Sequence, residues 1–308
     1  LKTLLINSSK IAKNPSTAYT RLSIEISSIS GHELVGTIEE CHILDRNKYN
    51  RFIIIGSAFY NKTAEIEAWI RSGEVDDITW INNEYNVSPN SEYARMIKEF
   101  NSTVISNCVE KANKVKGYTT FNLLNLNVLL MQSRQKCIKK QYDLIYYGTY
   151  RLGRRAYLQK YFNDSPFMLS STKRNIRKFY QLMGCTCNYC DKLDWTKNRE
   201  SLNLFRYSLY IEDEYTHTHY NHLANRFYEA IMCNCVQFFD KSCINTLSQS
   251  GYEVPDFYWV SDKEELIDKI KDLDFKKALK EQSELFLLPA IQEKKQVEQE
   301  LCLLLPHK

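Results

Sequence analysis

The chain has 308 residues and a formal net charge of +4. That length is enough for two domains of ordinary size, and Tyr, Phe, Ile and Leu recur along all of it, which excludes extended disorder. No apolar run approaches the roughly 18 residues of a membrane span, and the mild positive charge is compatible with nucleic acid without arguing for it.

In chain order, Leu4–Asn7 reads as a strand rather than a leader peptide, because neither a basic segment nor a small-residue cleavage site accompanies it. A polar loop, Ser8–Ser16, and a helix over Thr17–Ile29 follow. Leu34–Glu39 and Arg51–Gly56 are strand candidates, and Asn61–Arg71 has helical spacing, with Ile66, Trp69 and Ile70 on one side. Asp77–Ile81 is again a strand. The pattern restarts near Tyr142: strands over Asp143–Thr149, Phe167–Ser171, Leu204–Ile211, Val236–Phe239 and Asp256–Val260 alternate with helices over Arg151–Phe162, Arg174–Met183, His222–Cys233 and Glu264–Leu273. From Phe275 to Leu304 the chain reads as helical, with a kink or break at Pro289. Alternating β and α segments predict parallel, doubly wound sheets. The expected organisation is an α/β fold of two Rossmann-like domains, 1–140 and 141–275, facing a central cleft, with a helical tail, 276–308. Ligands of open α/β sheets lie beyond the carboxyl ends of the strands.

Three segments carry chemistry. In the first, a predicted strand runs through Tyr146-Tyr147 into Gly148-Thr149-Tyr150-Arg151 and a helix with Arg154 and Arg155 in its first turn. Gly148 would let a phosphate approach the backbone, the helix start offers unpaired N–H groups, and Arg151 and Arg155, four apart, would share a helical face. Two guanidinium forks there suit a pyrophosphate, although a solvated arginine face has the same pattern. In the second, Arg226 and Glu229 are three apart on a helix. The pair suits a diphosphate and a ribose, and equally an intrahelical ion pair. In the third, Glu84 follows a strand of the first domain, where a carboxylate can act as a general base or be an ordinary exposed loop residue.

In this order and spacing the segments resemble the T-even phage DNA β-glucosyltransferase family. Ile145-Tyr146-Tyr147-Gly148-Thr149-Tyr150-Arg151-Leu152-Gly153-Arg154-Arg155 is similar to the family's Ile-Tyr-Gly-Gly-Ser-Phe-Arg-x-Gly-x-Arg. Arg226 and Glu229 stand for its Arg-x-x-Glu helix, Phe239-Asp240 for a following strand end, and Glu265–Ile270 for a later helix. Upstream, Tyr49–Ile55 resembles its third strand and Asn14-Pro15-Ser16 its N-terminal loop.

The resemblance implies a GT-B fold, with the tail, 276–308, packing back on the first domain, and an enzyme, an inverting DNA glycosyltransferase. It would move a sugar, by default glucose from UDP-glucose, onto a 5-hydroxymethylpyrimidine flipped out of duplex DNA. Gly148, Thr149, Arg151, Arg155 and Arg226 would hold the donor diphosphate, Glu229 the ribose, and Tyr215 would lie near the diphosphate. Glu84 would be the base, in place of the family's aspartate. Ala18 stands where the family has a glutamate, a departure at a position tied to sugar or acceptor recognition. A divalent cation, Mg or Mn, is compatible with the activity, but no acidic cluster marks a site for it. Lys173, Arg174, Arg177 and Lys178 are candidates for DNA phosphate contacts. The implied partners are hydroxymethylated double-stranded DNA and the nucleotide sugar, without a membrane. The implied setting is a monomeric phage protein in the host cytoplasm. A glycan or small-molecule acceptor, and a non-catalytic nucleotide- or nucleic-acid-binding protein, are the competing readings.

The ten cysteines lack framework spacing over most of the chain, which suits free thiols in a reducing cytosol. Cys185, Cys187 and Cys190 could hold zinc with a fourth ligand, or be loop thiols. His217, His219 and His222 read as a polar loop before the Arg226 helix rather than a metal site.

Overall fold

A parallel strand covered on both faces must be apolar at nearly every position, and Leu4-Leu5-Ile6 and Phe52-Ile53-Ile54-Ile55 are of that kind. The computed structural model describes residues 2–7, 18–36, 38–56, 63–82, 95, 98–100, 102–107, 120–148, 151–170, 174–191, 193, 199–212 and 222–306. They form two compact units, residues 1–130 with 294–308, and 131–293.

Unit 1 contains strands β1 (Lys2–Asn7), β2 (Glu33–Val35), β3 (Tyr49–Gly56), β4 (Asp77–Asn82), β5 (Thr103–Ser106) and β6 (Thr120–Leu123). They make one parallel sheet in the order β2-β1-β3-β4-β5-β6. Helices α1 (Ala18–Ser30), α2 (Ile38–Cys41) and α3 (Thr63–Arg71) connect the first four strands. One sheet face buries Leu4, Ile6, Phe52, Ile54, Ile78 and Trp80 against Ile66, Trp69 and Ile70 of α3. The alternate residues Leu5, Ile53, Ile55 and Ile81 are buried too, and α1 packs on β1, β2 and β3. The strand expected over Leu34–Glu39 is shorter. It stops at Val35, and the Glu40 carboxylate accepts from the Gly36 N–H at 2.7 Å, so the chain turns into α2 instead.

One buried arginine organises the far side of this unit. Arg46 Nε donates to the Trp69 and Ile70 carbonyls at 3.2 and 3.1 Å, and its Nη2 donates to the Glu74 carbonyl at 3.0 Å. These carbonyls lie at and beyond the end of α3, where helical partners run out. The guanidinium also stands 4.5 Å from the Phe52 ring centroid. Gly73 makes room, since a Cβ there would lie 3.2 Å from the Arg46 guanidinium.

Unit 2 contains β7 (Tyr142–Tyr146), β8 (Met168–Ser170), β9 (Asn188–Cys190), β10 (Phe205–Tyr210), β11 (Val236–Asp240) and β12 (Trp259–Val260), all parallel in the order β12-β11-β10-β7-β8-β9. Its helices are α4 (Arg155–Phe162), α5 (Arg174–Leu182), α6 (Asn225–Met232), α7 (Ile244–Gln249), α8 (Lys263–Asp272) and α9 (Phe275–Gln282). The segment 131–141 belongs to this unit because its backbone and side chains are tied there. Gln135 N–H donates to the Met232 carbonyl, Gln141 N–H to Leu204, and Lys140 Nζ to the Asn203 carbonyl at 2.9 Å.

The core of unit 2 is aromatic. Phe227 of α6 lies 4.7 Å from Tyr252 and 5.6 Å from Phe286, and Phe239 of β11 lies 5.7 Å from Phe286. Strand β12 pairs only with Phe239 and Asp240, so Gln237 has no strand partner on that side. The Gln282 side chain takes the place, accepting from Gln237 N–H and donating to its carbonyl, both at 2.8 Å. The tail is not one helix. α9 passes through a π turn, Ser283–Leu287, into α10 (Leu288–Leu304), so the irregularity lies just before Pro289, whose ring cannot donate a helical hydrogen bond. From Lys294 onward α10 belongs to unit 1, where the Leu305 carbonyl lies 3.3 Å from His32 Nε2.

Among the described residues no helix is long and apolar enough to cross a membrane.

At the carboxyl end of β11, Asp240 accepts from Lys160 Nζ at 2.8 Å, Tyr161 OH at 2.6 Å and Ser242 N–H at 2.9 Å. Burial works to raise its pKa, but these donors outweigh it and the carboxyl titrates below its ordinary value. A depressed folded-state pKa stabilises above the unfolded value of about 3.9 and is lost as pH falls through the folded value. Asp240→Asn should therefore be less stable than the parent at neutral pH, and the difference should shrink below about pH 4 in thermal unfolding. Arg46→Met should lower the urea midpoint of unit 1, with a loss of about 2–4 kcal/mol, because the carbonyls of Trp69, Ile70 and Glu74 lose their donor.

Candidate anion site at the sheet crossover

In unit 2 the chain leaves β7 toward β8 and β9 on one side, then returns to place β10, β11 and β12 on the other. Loops after β7 and β10 therefore diverge, and the gap at their carboxyl ends is the usual ligand position of such a sheet. The residues that meet there are Gly148 after β7, Glu212 after β10, Arg154 before α4 and Arg226 in α6.

Their geometry follows from the local chain. Arg151, with φ −141° and ψ 138°, is extended, and a three-residue 3₁₀ turn, Leu152–Arg154, precedes α4. Arg151 and Arg155 were expected on one helical face. They are not, because the helix proper begins only at Arg155, and both are exposed. The turn instead brings Arg154 inward, where it is 3% exposed. Its Nη2 donates to Glu212 Oε2 at 2.6 Å. Arg226, 8% exposed, donates from Nη2 to Glu212 Oε1 and, at 3.0 Å, to the Ile211 carbonyl. Glu212 itself is 1% exposed.

The start of α6 is fixed by two tyrosines. Tyr147 OH donates to the Arg226 carbonyl at 2.9 Å, and Tyr210 OH accepts from Ala224 N–H at 2.9 Å. The Arg226 guanidinium stands 5.6 Å from the Tyr210 ring centroid and 5.9 Å from that of Tyr146. Burial acts to lower the Arg226 pKa and the nearby Arg154 charge adds to it, but Glu212 together with Tyr146 and Tyr210 outweighs them, and the net direction is upward. Arg226 is therefore a fixed cation. It pairs with Glu212 and not with Glu229 of its own helix. Glu229 is buried one turn on, its Oε1 accepting from Asn225 Nδ2 at 2.8 Å.

Gly148 is the point of closest approach. A Cβ on it would lie 3.0 Å from the Tyr146 hydroxyl, 3.1 Å from Arg226 Nη1 and 3.4 Å from Arg154 Nη1. Two guanidinium edges and a phenol thus converge on a backbone with no side chain. An arrangement of this kind binds an anion with several oxygens, such as a phosphate or diphosphate.

Of the residues singled out in the sequence, Gly148 and Arg226 meet here, and Glu229 lies on the same helix as Arg226. Arg154 and Glu212 were not singled out. Glu84, Thr149, Tyr215, Lys173, His217 and His219 lie outside the described residues. Arg174 opens α5, Arg177 pairs with Asp191 at 2.5 Å, and Lys178 is exposed. Ala18 opens α1. Among the described residues no three His, Cys, Asp or Glu side chains gather into a metal-binding group. Burial pushes the Cys185 thiol up to about 11 and Cys187 to about 12, and raises Cys190 as well, so these are neutral thiols at physiological pH.

No family model matches this sequence. No curated protein matches it either. Solved structures do. A mutant of T4 phage β-glucosyltransferase in complex with UDP-glucose aligns over 100% of both chains with a TM-score of 0.74 at 17% identity. The complex of T4 phage β-glucosyltransferase with its UDP-glucose substrate aligns over 100% of both chains, with a TM-score of 0.73 at 18% identity. An α-glucosyltransferase in complex with UDP-glucose and DNA containing an abasic site aligns over 97% of this chain and 94% of that one, with a TM-score of 0.60 at 10% identity. The fold is thus the α/β, GT-B type of these glucosyltransferases, with two six-stranded parallel sheets and a long C-terminal helix.

A methyl group on Gly148 would press on the buried ends of Tyr146 and Arg226. Gly148→Ala should cost about 1–3 kcal/mol in thermal unfolding. It should also reduce the stabilisation that millimolar pyrophosphate gives the parent protein.

Proposed function

We propose that a chain with this fold is a DNA glycosyltransferase, which transfers a sugar from a nucleotide-sugar donor to the hydroxyl of a 5-hydroxymethylpyrimidine in duplex DNA. The observation that carries this reading is the pair of buried arginines over Gly148 at the crossover of the unit 2 sheet. Glucosyltransferases with the same fold are recorded with UDP-glucose, and one of them with DNA as well. UDP-glucose is accordingly the donor proposed here. T4 phage β-glucosyltransferase is also recorded with UDP and Mn2+, so a divalent cation is a candidate cofactor.

In the proposed site Gly148, Thr149, Arg151, Arg155 and Arg226 face the donor diphosphate, and Arg154 joins them. Tyr215 lies beside it. Glu229 accepts the hydroxyls of the ribose. The acceptor oxygen attacks the anomeric carbon as the bond from that carbon to the diphosphate breaks, which inverts the configuration. Glu84 takes the hydroxyl proton. The leaving UDP gains charge on its terminal phosphate, and the arginines stabilise it more than they stabilise the bound donor. A base inside a duplex cannot reach such a site, so the target nucleotide leaves the stack. Lys173, Arg174, Arg177 and Lys178 are proposed to touch DNA phosphates, which makes binding salt-sensitive. The setting that fits is a monomer in the cytoplasm of a phage-infected cell.

The test is transfer of labelled glucose from UDP-glucose to three duplexes, carrying 5-hydroxymethylcytosine, 5-hydroxymethyluracil or neither. Label should enter a hydroxymethylated duplex only, and Glu84→Gln should slow transfer about 10²–10⁴-fold. Binding of no nucleotide sugar would sink the glycosyltransferase reading. Donor hydrolysis without transfer to any duplex would favour a glycan or small-molecule acceptor.

A further inference from the structure

Two guanidiniums side by side in a protein interior repel each other, and each has several staggered rotamers through which to move apart. Here they stay together. Arg154 and Arg226 place their Nη2 groups on different oxygens of one buried carboxylate, Glu212. Their Nη1 groups lie together at Gly148, 3.4 and 3.1 Å from the position a Cβ would take. The Tyr146 hydroxyl, 3.0 Å from the same point, is buried and makes no hydrogen bond among the described residues. A buried hydroxyl left without a partner is costly, and a ligand oxygen would supply one. The carboxylate thus holds one edge of each arginine, and the Nη1 edges of both lie at Gly148 beside the Tyr146 hydroxyl.

We propose that Glu212 is the positioning residue of the donor site, holding Arg154 and Arg226 by their Nη2 groups so that both Nη1 groups, with the Tyr146 hydroxyl, present to one phosphate group of the donor. This rests on the reading of the site as a diphosphate site. Glu212 acts through the arginines and does not touch the ligand. A glutamine in its place accepts from one guanidinium but sets an N–H₂ group against the other, so the two arginines cannot both stay in place.

A merely structural glutamate would affect every ligand of the unit alike, whereas a positioning one affects only the phosphates. The experiment compares Glu212→Gln with the parent chain, using UDP by calorimetry and uridine by NMR titration. The expected result is a UDP Kd raised about tenfold or more, the scale of one lost charged hydrogen bond, with uridine binding unchanged. Combined with Arg154→Met, it should add little to the loss that Arg154→Met causes alone, because the two act as one unit. Glu212→Asp keeps the charge on a shorter arm and serves if the glutamine variant does not fold. It should weaken UDP and spare uridine in the same way. Equal losses for UDP and uridine, or no loss for either, would overturn the positioning role. A parent chain that binds neither UDP nor a UDP-sugar would instead overturn the donor reading itself.

Discussion

The sharing of one buried carboxylate by two arginines is the constraint on which the proposed anion site depends. Transferring three charged groups from water into the interior is expensive, and a well-packed apolar trio would often be at least as stable. Removing one member of such a group costs more than never having built it, because the others are left unpaired. Glu212, Arg154 and Arg226 arrive from three separate elements: the end of β10, the turn before α4, and α6. The ion pairs therefore tie those elements to one another at the place where the sheet divides. Tyr147 and Tyr210 add neutral ties to the start of α6, so the arginines sit on a fixed frame.

The rest of unit 2 supports that frame by satisfying backbone groups that a short sheet leaves over. Strand β12 has two residues, and without Gln282 the backbone of Gln237 would lack partners in the middle of the aromatic core. Buried amides without partners are costly. A single side chain from α9 replaces a missing stretch of strand, and in doing so it locks α9 against β11. Asp240 performs a similar task at the opposite end of β11, where Lys160 and Tyr161 bring α4 to the sheet. Because α4 directly follows Arg154, the Asp240 contacts also hold one side of the anion site.

Much of this fold is legible in the sequence, and the exceptions have physical causes. The run Phe52-Ile53-Ile54-Ile55 of β3 and the largely aromatic and apolar β10 mark their strands directly in the sequence. The four-residue β5 and β6 and the three-residue β9 carry Thr, Ser, Asn and Cys, and nothing local separates them from loops. They are strands because neighbours pair with them. Of the anion site, Gly148 and Arg226 could be found by motif, but Arg154 could not. Helical spacing from Arg151 points to Arg155, and only the intervening 3₁₀ turn rotates Arg154 into the interior. Glu212 heads an acidic run, Glu212-Asp213-Glu214, that reads as surface. Its burial is visible only once two arginines far apart in the chain are seen to converge on it.

The two sheets differ in strand order and yet follow one rule for where polarity is allowed. In unit 1 the order β2-β1-β3 places the crossover between β1 and β3, and β1 turns from Leu4-Leu5-Ile6 to the buried Asn7 at its carboxyl end. β5 changes in the same way, from Val104 and Ile105 to the buried Ser106, with the buried Asn107 just beyond it. In unit 2, β10 passes from Leu209 and Tyr210 through Ile211 to Glu212. Buried amides and charges are tolerated only where hydrogen bonds can be completed, as Gln282 completes those of Gln237 inside the unit 2 sheet. At the carboxyl edge the strands end and the loops diverge, so side chains from several elements can meet. The same geometry that makes polar burial affordable at that edge makes it the place where a ligand can complete the set.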